Sequence, residues 1–128
     1  MAFPCTILTP ERIAFEGEIE SAVLPAHNGE MGVLPGHADF LGALGTGTAR
    51  LRKPGGEQVF ILNGGYLRVS KGRLTVLAEE AAAKDEVVRE KVEAALKDAL
   101  AERPKDASEA SIRDAKLAWA RARLRALG

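Results

Sequence analysis

Two histidines, His27 and His37, stand ten residues apart on glycine-rich turns, and such a pair is where metal or hydrolytic chemistry would begin. No carboxylate pattern beside them has metal-ligand spacing. His37 follows Pro35-Gly36 and reads as a loop brace hydrogen-bonded through its ring, and His27 as a solvated turn residue. The serines, Ser21, Ser70, Ser108 and Ser111, are in no nucleophile-elbow context. Cys5, the only cysteine, lies near Phe3 and Ile7, reads as a small core residue, and permits neither a disulfide nor a thiolate cluster. Gly64-Gly65 and Gly29/Gly32 superficially resemble phosphate-binding glycines, but no Lys-Ser/Thr and no helix follows them. Glu16, Glu18 and Glu20 alternate along a strand start as one solvated edge. Nothing here argues for an enzyme.

The segment Gly29-Glu30-Met31-Gly32-Val33-Leu34-Pro35-Gly36-His37 packs three glycines and a proline around one carboxylate. Its backbone is specified more tightly than solvent-facing chain needs. Met31, Val33 and Leu34 are not all expected to be tucked into a core, so the segment reads as a surface that meets a partner.

The elements that must position these residues have two different periods. From Phe3 to about Glu80, short apolar runs are broken by turn residues every eight to twelve positions or so. Nine strands are expected: Phe3–Thr9, Arg12–Phe15, Ile19–Pro25, Gly29–Leu34, Phe40–Gly42, Thr46–Arg52, Gln58–Leu62, Tyr66–Ser70 and Leu74–Leu77. Pro54-Gly55-Gly56, Asn63-Gly64-Gly65 and Lys71-Gly72 are read as turns between them, the second as a tight hairpin. Alternation in Ile19/Ser21/Val23 and Leu67/Val69 gives each strand one apolar face, which predicts two packed antiparallel sheets, a β-sandwich.

Beyond Ala81 alanine rises and the period becomes helical. Val88, Val92, Ala95, Leu96, Ala99 and Leu100 stripe a helix over Lys84–Arg103, which Pro104 ends. Asp106 with Glu109 three residues on is an N-cap for a second helix to about Leu127, striped by Ile112, Ala115, Trp119, Ala122 and Ala126 with Leu117 and Leu124 beside it. A five-residue link makes an antiparallel hairpin the default. Its alanine seam buries little area, so the hairpin is expected to detach or change shape at modest cost. The expected division is a β-sandwich domain over 1–83 and a helical hairpin over 84–128.

The chain of 128 residues has 18 basic and 18 acidic side chains, so as a whole it has no electrostatic reason to bind nucleic acid, and its aromatic content of 5% argues against a base-stacking platform. From Ser111 onward, Arg113, Lys116, Arg121, Arg123 and Arg125 face only Asp114, a basic helix open to an acidic surface or a phosphate. No apolar run of about 18 residues, and no N-terminal leader pattern, is present.

Thr9-Pro10-Glu11-Arg12, the Gly29–His37 segment, Gly-Gly-Tyr-Leu-Arg-Val over 64–69 and Leu-Thr-Val-Leu-Ala over 74–78 occur in one order and spacing. In combination they resemble the epsilon subunit of bacterial F-type ATP synthase over essentially the whole length. That resemblance implies a ten-stranded sandwich and two helices, a non-catalytic rotor subunit on the central stalk, and no required cofactor. It implies gamma and the c ring as partners, with the alpha and beta catalytic subunits added when the hairpin extends to inhibit ATP hydrolysis. It also implies a peripheral place on the cytoplasmic face of the plasma membrane. By that resemblance Glu30, Met31, Gly32 and His37 fall at the c-ring contact, and Arg121, Arg123 and Arg125 could latch the extended helix to acidic catalytic segments. Some relatives bind ATP through an Ile/Leu-Asp-x-x-Arg-Ala motif plus arginines of the second helix. Here the run is Asp85-Glu86-Val87-Val88-Arg89-Glu90, which keeps Arg89, has Glu86 as its acid, and adds carboxylates that repel a polyphosphate. Glu86, Arg89, Arg121 and Arg125 are the residues that ATP would use. Rival readings are a free-standing nucleotide sensor whose hairpin closes on ATP, and a sandwich hydrolase using His37.

Overall fold

In the computed structural model, which describes residues 1–128, the alternation of Phe3, Cys5 and Ile7 with Pro4, Thr6 and Leu8 becomes strand β1 (Phe3–Leu8), buried on one face only. The same alternation builds β2 (Ile13–Ile19), β3 (Ser21–Ala26), β4 (Gly29–Val33), β5 (Phe40–Ala43), β6 (Thr46–Lys53), β7 (Gly56–Ser70) and β8 (Arg73–Ala83). The hydrogen-bonded order is β2-β1-β8-β7-β6-β3-β4, with β5 also paired to β7. Every pairing is antiparallel except β1 with β8.

One long hairpin makes this sheet into a sandwich. β7 is 15 residues long; Gly56–Asn63 pairs with β6, whereas Tyr66–Val69 pairs with β5. β8 follows β7 throughout, from Ser70 opposite Arg73 to Phe60 opposite Ala83. The change of partner falls at Gly64-Gly65, whose φ values of +62° and +107° bend the strand as L side chains resist doing. One layer is therefore β4-β3-β6 with the first arm of β7 and the last of β8. The other is β5 with the remaining arms, then β1 and β2. Counting each arm separately, eight strands supply the ten segments that the resemblance implied.

The expected hairpin at Asn63-Gly64-Gly65 is thus corrected to a bend within one strand, and the strands read as Gln58–Leu62 and Tyr66–Ser70 are one. Positive φ serves a turn and a bend alike, and only the partner strands distinguish them. Asn63 is the brace of that bend: Thr46 Oγ1 donates to its Oδ1 at 2.8 Å, and its Nδ2 donates to Glu80 Oε1 at 3.0 Å. The true hairpin turn is Lys71-Gly72, with φ of 53° and 75° as a two-residue type I′ turn requires.

Between the layers lies one cluster of branched and aromatic side chains, including Ile7, Leu24, Leu51, Phe60, Leu67 and Val76. Phe15 of β2 meets Phe60 of β7 edge to face, 5.8 Å between centroids. Each such large side chain contributes roughly 1.5–3 kcal/mol on burial.

The chain divides into two compact units, Met1–Ala83 and Lys84–Gly128. The second begins with a 3-10 turn (Lys84–Glu86), then α1 (Arg89–Ala101) and α2 (Ala107–Leu127). α1 starts five residues later than the periodicity predicts and ends two residues earlier, because Val88 is extended at the N-cap and offers no side-chain oxygen to the first amides. α2 starts where expected: Asp106 Oδ1 accepts from the Glu109 amide at 2.8 Å, and Glu109 Oε1 accepts from the Lys105 amide at 3.1 Å. The helices run antiparallel, with Lys116 Nζ 3.0 Å from Glu102 Oε2 near the link and Arg89 Nη2 donating to Gly128 O at 2.9 Å at the far end. Buried positions are Val92 and Ala99 on α1 and Leu117, Trp119, Ala120 and Ala122 on α2. Val88, Leu100 and Ile112, expected in the seam, are 45%, 52% and 56% exposed. Val88 precedes the helix, and the other two lie in the turns next to the link.

Candidate docking surfaces

The Gly29–His37 segment is built on the outermost strand of its layer. β3 and β4 form a hairpin closing at Ala26 opposite Gly29, with His27-Asn28 at the tip. His27 is exposed, and its amide donates to Ala43 O at 2.9 Å. Strand alternation then sorts the residues. Val33, opposite Ala22, is buried, and Met31, opposite Leu24, packs against the core; Glu30 and Gly32 take the outer face. Met31 is therefore half-buried, and the most exposed apolar side chain of the segment is Leu34, 63% exposed. A Cβ at Gly32 would meet nothing within 4 Å.

After β4 the chain turns through Pro35-Gly36. The His37 amide donates to Leu34 O at 3.1 Å and Gly36 has φ of +80°, a type II turn with proline and glycine at the positions that favour them. The His37 Nδ1–H donates to Ala38 O at 2.6 Å, so its ring braces the loop.

Glu30 already has a cation. Arg50 Nη2 of β6 lies 3.3 Å from its Oε2, reaching across β3 between side chains 44% and 65% exposed. Nothing in the sequence pairs residues 30 and 50; only the register does, since Val23 of β3 stands opposite both Gly32 and Arg50.

The arginines proposed for nucleotide or latch roles fare differently from one another. Arg89 is committed to Gly128 O, one turn beyond Arg125 at the same end of the hairpin. Glu86 lies in the 3-10 turn while Arg89 opens α1, so the two do not share a helix. Arg121 and Arg125 are exposed and one helical turn apart. Arg123 stacks on the Trp119 ring, 4.9 Å to the centroid, with Nε donating to Trp119 O at 3.3 Å, so it serves the helix rather than projecting beside them.

One surface escaped sequence reasoning. Leu41, Tyr66 and Leu77 are 70%, 60% and 50% exposed and line a shallow depression of about 610 Å³ with Arg68 and Thr75 on the outer face of the β5-containing layer. The available signal was the adjacent apolar pairs Tyr66-Leu67 and Val76-Leu77, which leave no polar side to a strand. No three His, Cys, Asp or Glu side chains gather where a metal could sit, and burial of Cys5 pushes its thiol up to about 12.

A sandwich with a built edge loop, an exposed apolar face and an alanine-seamed hairpin defines an accessory protein that works through its surfaces. Residues 2–84 match the family described as ATP synthase, Delta/Epsilon chain, beta-sandwich domain. The chain is 39% identical over 127 residues to the ATP synthase epsilon chain of Teredinibacter turnerae, covering 96% of this chain and 90% of that one. It is 34% identical over 116 residues to that of Bacillus velezensis, covering 91% and 88%. The chain belongs to the ATP synthase epsilon chain family, whose members are non-catalytic subunits. In fold it is similar to a chain in the cryo-EM structure of Euglena gracilis mitochondrial ATP synthase (TM-score 0.84, 23% identity, 99% of this chain and 82% of that one). A central-stalk and c-ring structure from Tetrahymena thermophila contains another such chain (TM-score 0.69, 12% identity, 98% and 96%). No helix is long and apolar enough to cross a membrane.

Proposed function

We propose that this chain is the epsilon subunit of an F-type ATP synthase central stalk, coupling rotation of gamma to the c ring, held peripherally at the cytoplasmic face of the plasma membrane through those partners. The observation that supports it most is the edge of β4. A type II turn, an inward-facing Met31 and Val33 and an ion pair together fix a ridge whose exposed features are Glu30, Gly32 and Leu34. A rotating contact needs such a shape-defined surface, because an exposed ion pair is worth only about 0.2–1 kcal/mol and cannot carry torque. The lack of a side chain at Gly32 lets a neighbouring loop approach the backbone.

The hairpin is the regulatory part of this reading. Alanines at 99, 120 and 122 occupy much of its seam, so opening costs little buried area, and in this reading the exposed Arg121 and Arg125 meet acidic catalytic segments when it extends. Nucleotide is not needed for this: Arg89 is engaged by Gly128 O, and Asp85 and Glu90 would repel a polyphosphate. In the assembled complex, Gly32→Trp is expected to lower ATP-driven proton pumping per ATP hydrolysed more than Glu30→Ala does. The reverse order would refute the contact. Replacing Arg121 and Arg125 by alanine should raise ATP hydrolysis at low salt, and unchanged hydrolysis would remove the latch.

A further inference from the structure

Residues on the outer face of the β5-β7-β8-β1-β2 layer line up in rows across the strands. Ala43 stands opposite Tyr66, Tyr66 opposite Leu77, Leu77 opposite Leu8, and Leu8 opposite Ile13, an apolar row crossing five strands. At about 4.8 Å per strand the row is roughly 19 Å long. Tyr66, Leu77 and Ile13 are each at least half exposed. The next row runs Leu41, Arg68, Thr75, Thr6, Glu16, and beyond it Ser70 pairs with Arg73 and Pro4 with Glu18. Arg68, Arg73, Glu16 and Glu18 are exposed, and none of the chain's ion pairs uses them.

The cations of this face thus collect on β7 and β8, its carboxylates on β2, and its apolar row runs beside both. A nucleic acid or an anionic lipid surface would meet Glu16 and Glu18 with repulsion. A small molecule finds only the shallow depression beside Tyr66, where Arg68 is the one charged group. The occupant that fits carries cations against β2, carboxylates against β7 and an apolar row in register with them. The face itself has those features, in the reverse order about the line between β8 and β1.

Turning a second copy by a half rotation about an axis that runs along the strands between β8 and β1 keeps every row on itself and reverses the strand order. β8 then faces β1 of the second copy, and β7 faces its β2. In the apolar row Tyr66 meets Ile13 and Leu77 meets Leu8. In the next row Arg68 meets Glu16 and Thr75 meets Thr6, and in the third Arg73 meets Pro4 with Glu18 one strand further on. Each contact occurs twice, as a two-fold interface requires. Stacked sheets cross at about 30°, which displaces β7 from the facing β2, about 7 Å from the axis, by roughly 4 Å along the strand. Arginine and glutamate side chains are long enough to absorb that offset.

We propose that the free chain forms a two-fold dimer through this face, with the Tyr66–Leu77–Leu8–Ile13 row at its centre and Arg68 paired to Glu16 of the second copy on both sides of the axis. The dimer is a state of the chain outside any complex and does not depend on the stalk reading. Four strands and three rows cover roughly 400 Å² per copy, about 800 Å² in all, less than the about 1,200 Å² at which stable complexes begin. The dimer is therefore weak, dissociating on the order of 100 µM, and yields to any partner that binds the same face more tightly.

Sedimentation equilibrium of the full-length chain between about 10 µM and about 1 mM should show monomer passing to dimer. Arg68→Glu and Glu16→Arg each set like charges against one another at both Arg68–Glu16 contacts, so either variant alone should dimerise at least about tenfold more weakly. Mixed in equal amounts, the two variants should dimerise with each other about as well as the unaltered chain does, because one copy of each restores opposite charges at both contacts. Tyr66→Asp with Leu77→Asp should stay monomeric throughout, and thermal melts of each variant check folding. Ile13→Cys carrying a photo-crosslinker should join β7 of the second copy, with buried Cys5 silent. A chain monomeric across the whole range, a dimer indifferent to the double-aspartate change, single charge variants that dimerise normally, or no recovery on mixing them would each overturn the proposal. So would a monomeric chain whose double-aspartate variant binds poorly to ATP synthase depleted of this subunit, since the occupant of the face is then another subunit only.

Discussion

Gly64 and Gly65 are adjacent, both have positive φ, and they should respond very differently to alanine. At Gly64, φ is +62° and the nearest atom to an added Cβ is in the Glu79 side chain, 3.6 Å away. The cost is then mainly the left-handed conformation, about 1–2 kcal/mol, less the roughly 0.4–1 kcal/mol returned because alanine restricts the unfolded chain. At Gly65, φ is +107°, and the Cβ would fall 1.9 Å from Leu77 O and 2.9 Å from its carbonyl carbon. Those are backbone atoms of the neighbouring strand, so β8 must move away from β7 where Gly65 pairs with Ala78. Strain of about 1–3 kcal/mol adds to overpacking of about 1–3 kcal/mol, with ladder hydrogen bonds of about 0.5–1.5 kcal/mol each at risk. Gly65→Ala should therefore cost roughly 3–5 kcal/mol against about 1 for Gly64→Ala. At about 4–8 °C per kcal/mol for a domain of this size, that means a fall in Tm of at least about 12 °C against about 4–8 °C. Circular dichroism melts and urea titrations of the full chain measure both. Equal losses at the two positions would refute the bend as the point where the sandwich folds over, because a simple hairpin turn would tolerate both alike.

Burial raises the Cys5 thiol from 9.0 to about 12, so its protonated form is favoured by folding; that stability is complete below pH 9 and lost as pH climbs towards 12. The alkaline decline should be shallower in Cys5→Ala, and thiol reagents should label Cys5 only on unfolding. Isothermal titration of MgATP into the full chain should show no sub-millimolar binding, and Arg89→Ala should not change that result; tight binding lost in the variant would restore a nucleotide site. Hydrogen exchange should be faster throughout α1 and α2 than in β7 and β8, and equal strong protection would show that the alanine seam is not a weak one.

Much of the sandwich was legible because period-two alternation is a local property. Phe3, Cys5 and Ile7 announce a half-buried strand without reference to any other segment, and Asp106 with Glu109 announces a helix start within four residues. What was misread depended on distant partners. Asn63-Gly64-Gly65 looks like a hairpin turn until β6 and β5 are seen to pair on either side of it. That Met31, Val33 and Leu34 would not all be tucked in was readable from alternation alone: Val33 is buried, Met31 half-buried and Leu34 exposed. The partner of Glu30 was unreadable for a firmer reason: Arg50 is 20 residues away and reaches it across an intervening strand.

The apolar row was hidden for the opposite reason. Each of its members sits in a different strand, and Leu8, Ile13, Ala43, Tyr66 and Leu77 are scattered over seventy positions of sequence. Singly, each is an ordinary apolar residue at the surface, and such residues are common on folded proteins. Only the register makes them a line, and only because β1 runs parallel to β8 does Leu8 join Leu77 rather than continue elsewhere. The Gly64-Gly65 bend decides which arm of β7 carries Tyr66 into that layer, so the strand geometry that most constrains folding also assembles this surface. A substitution at the bend should therefore damage docking and stability together, whereas Tyr66→Asp with Leu77→Asp, on exposed positions, should separate them.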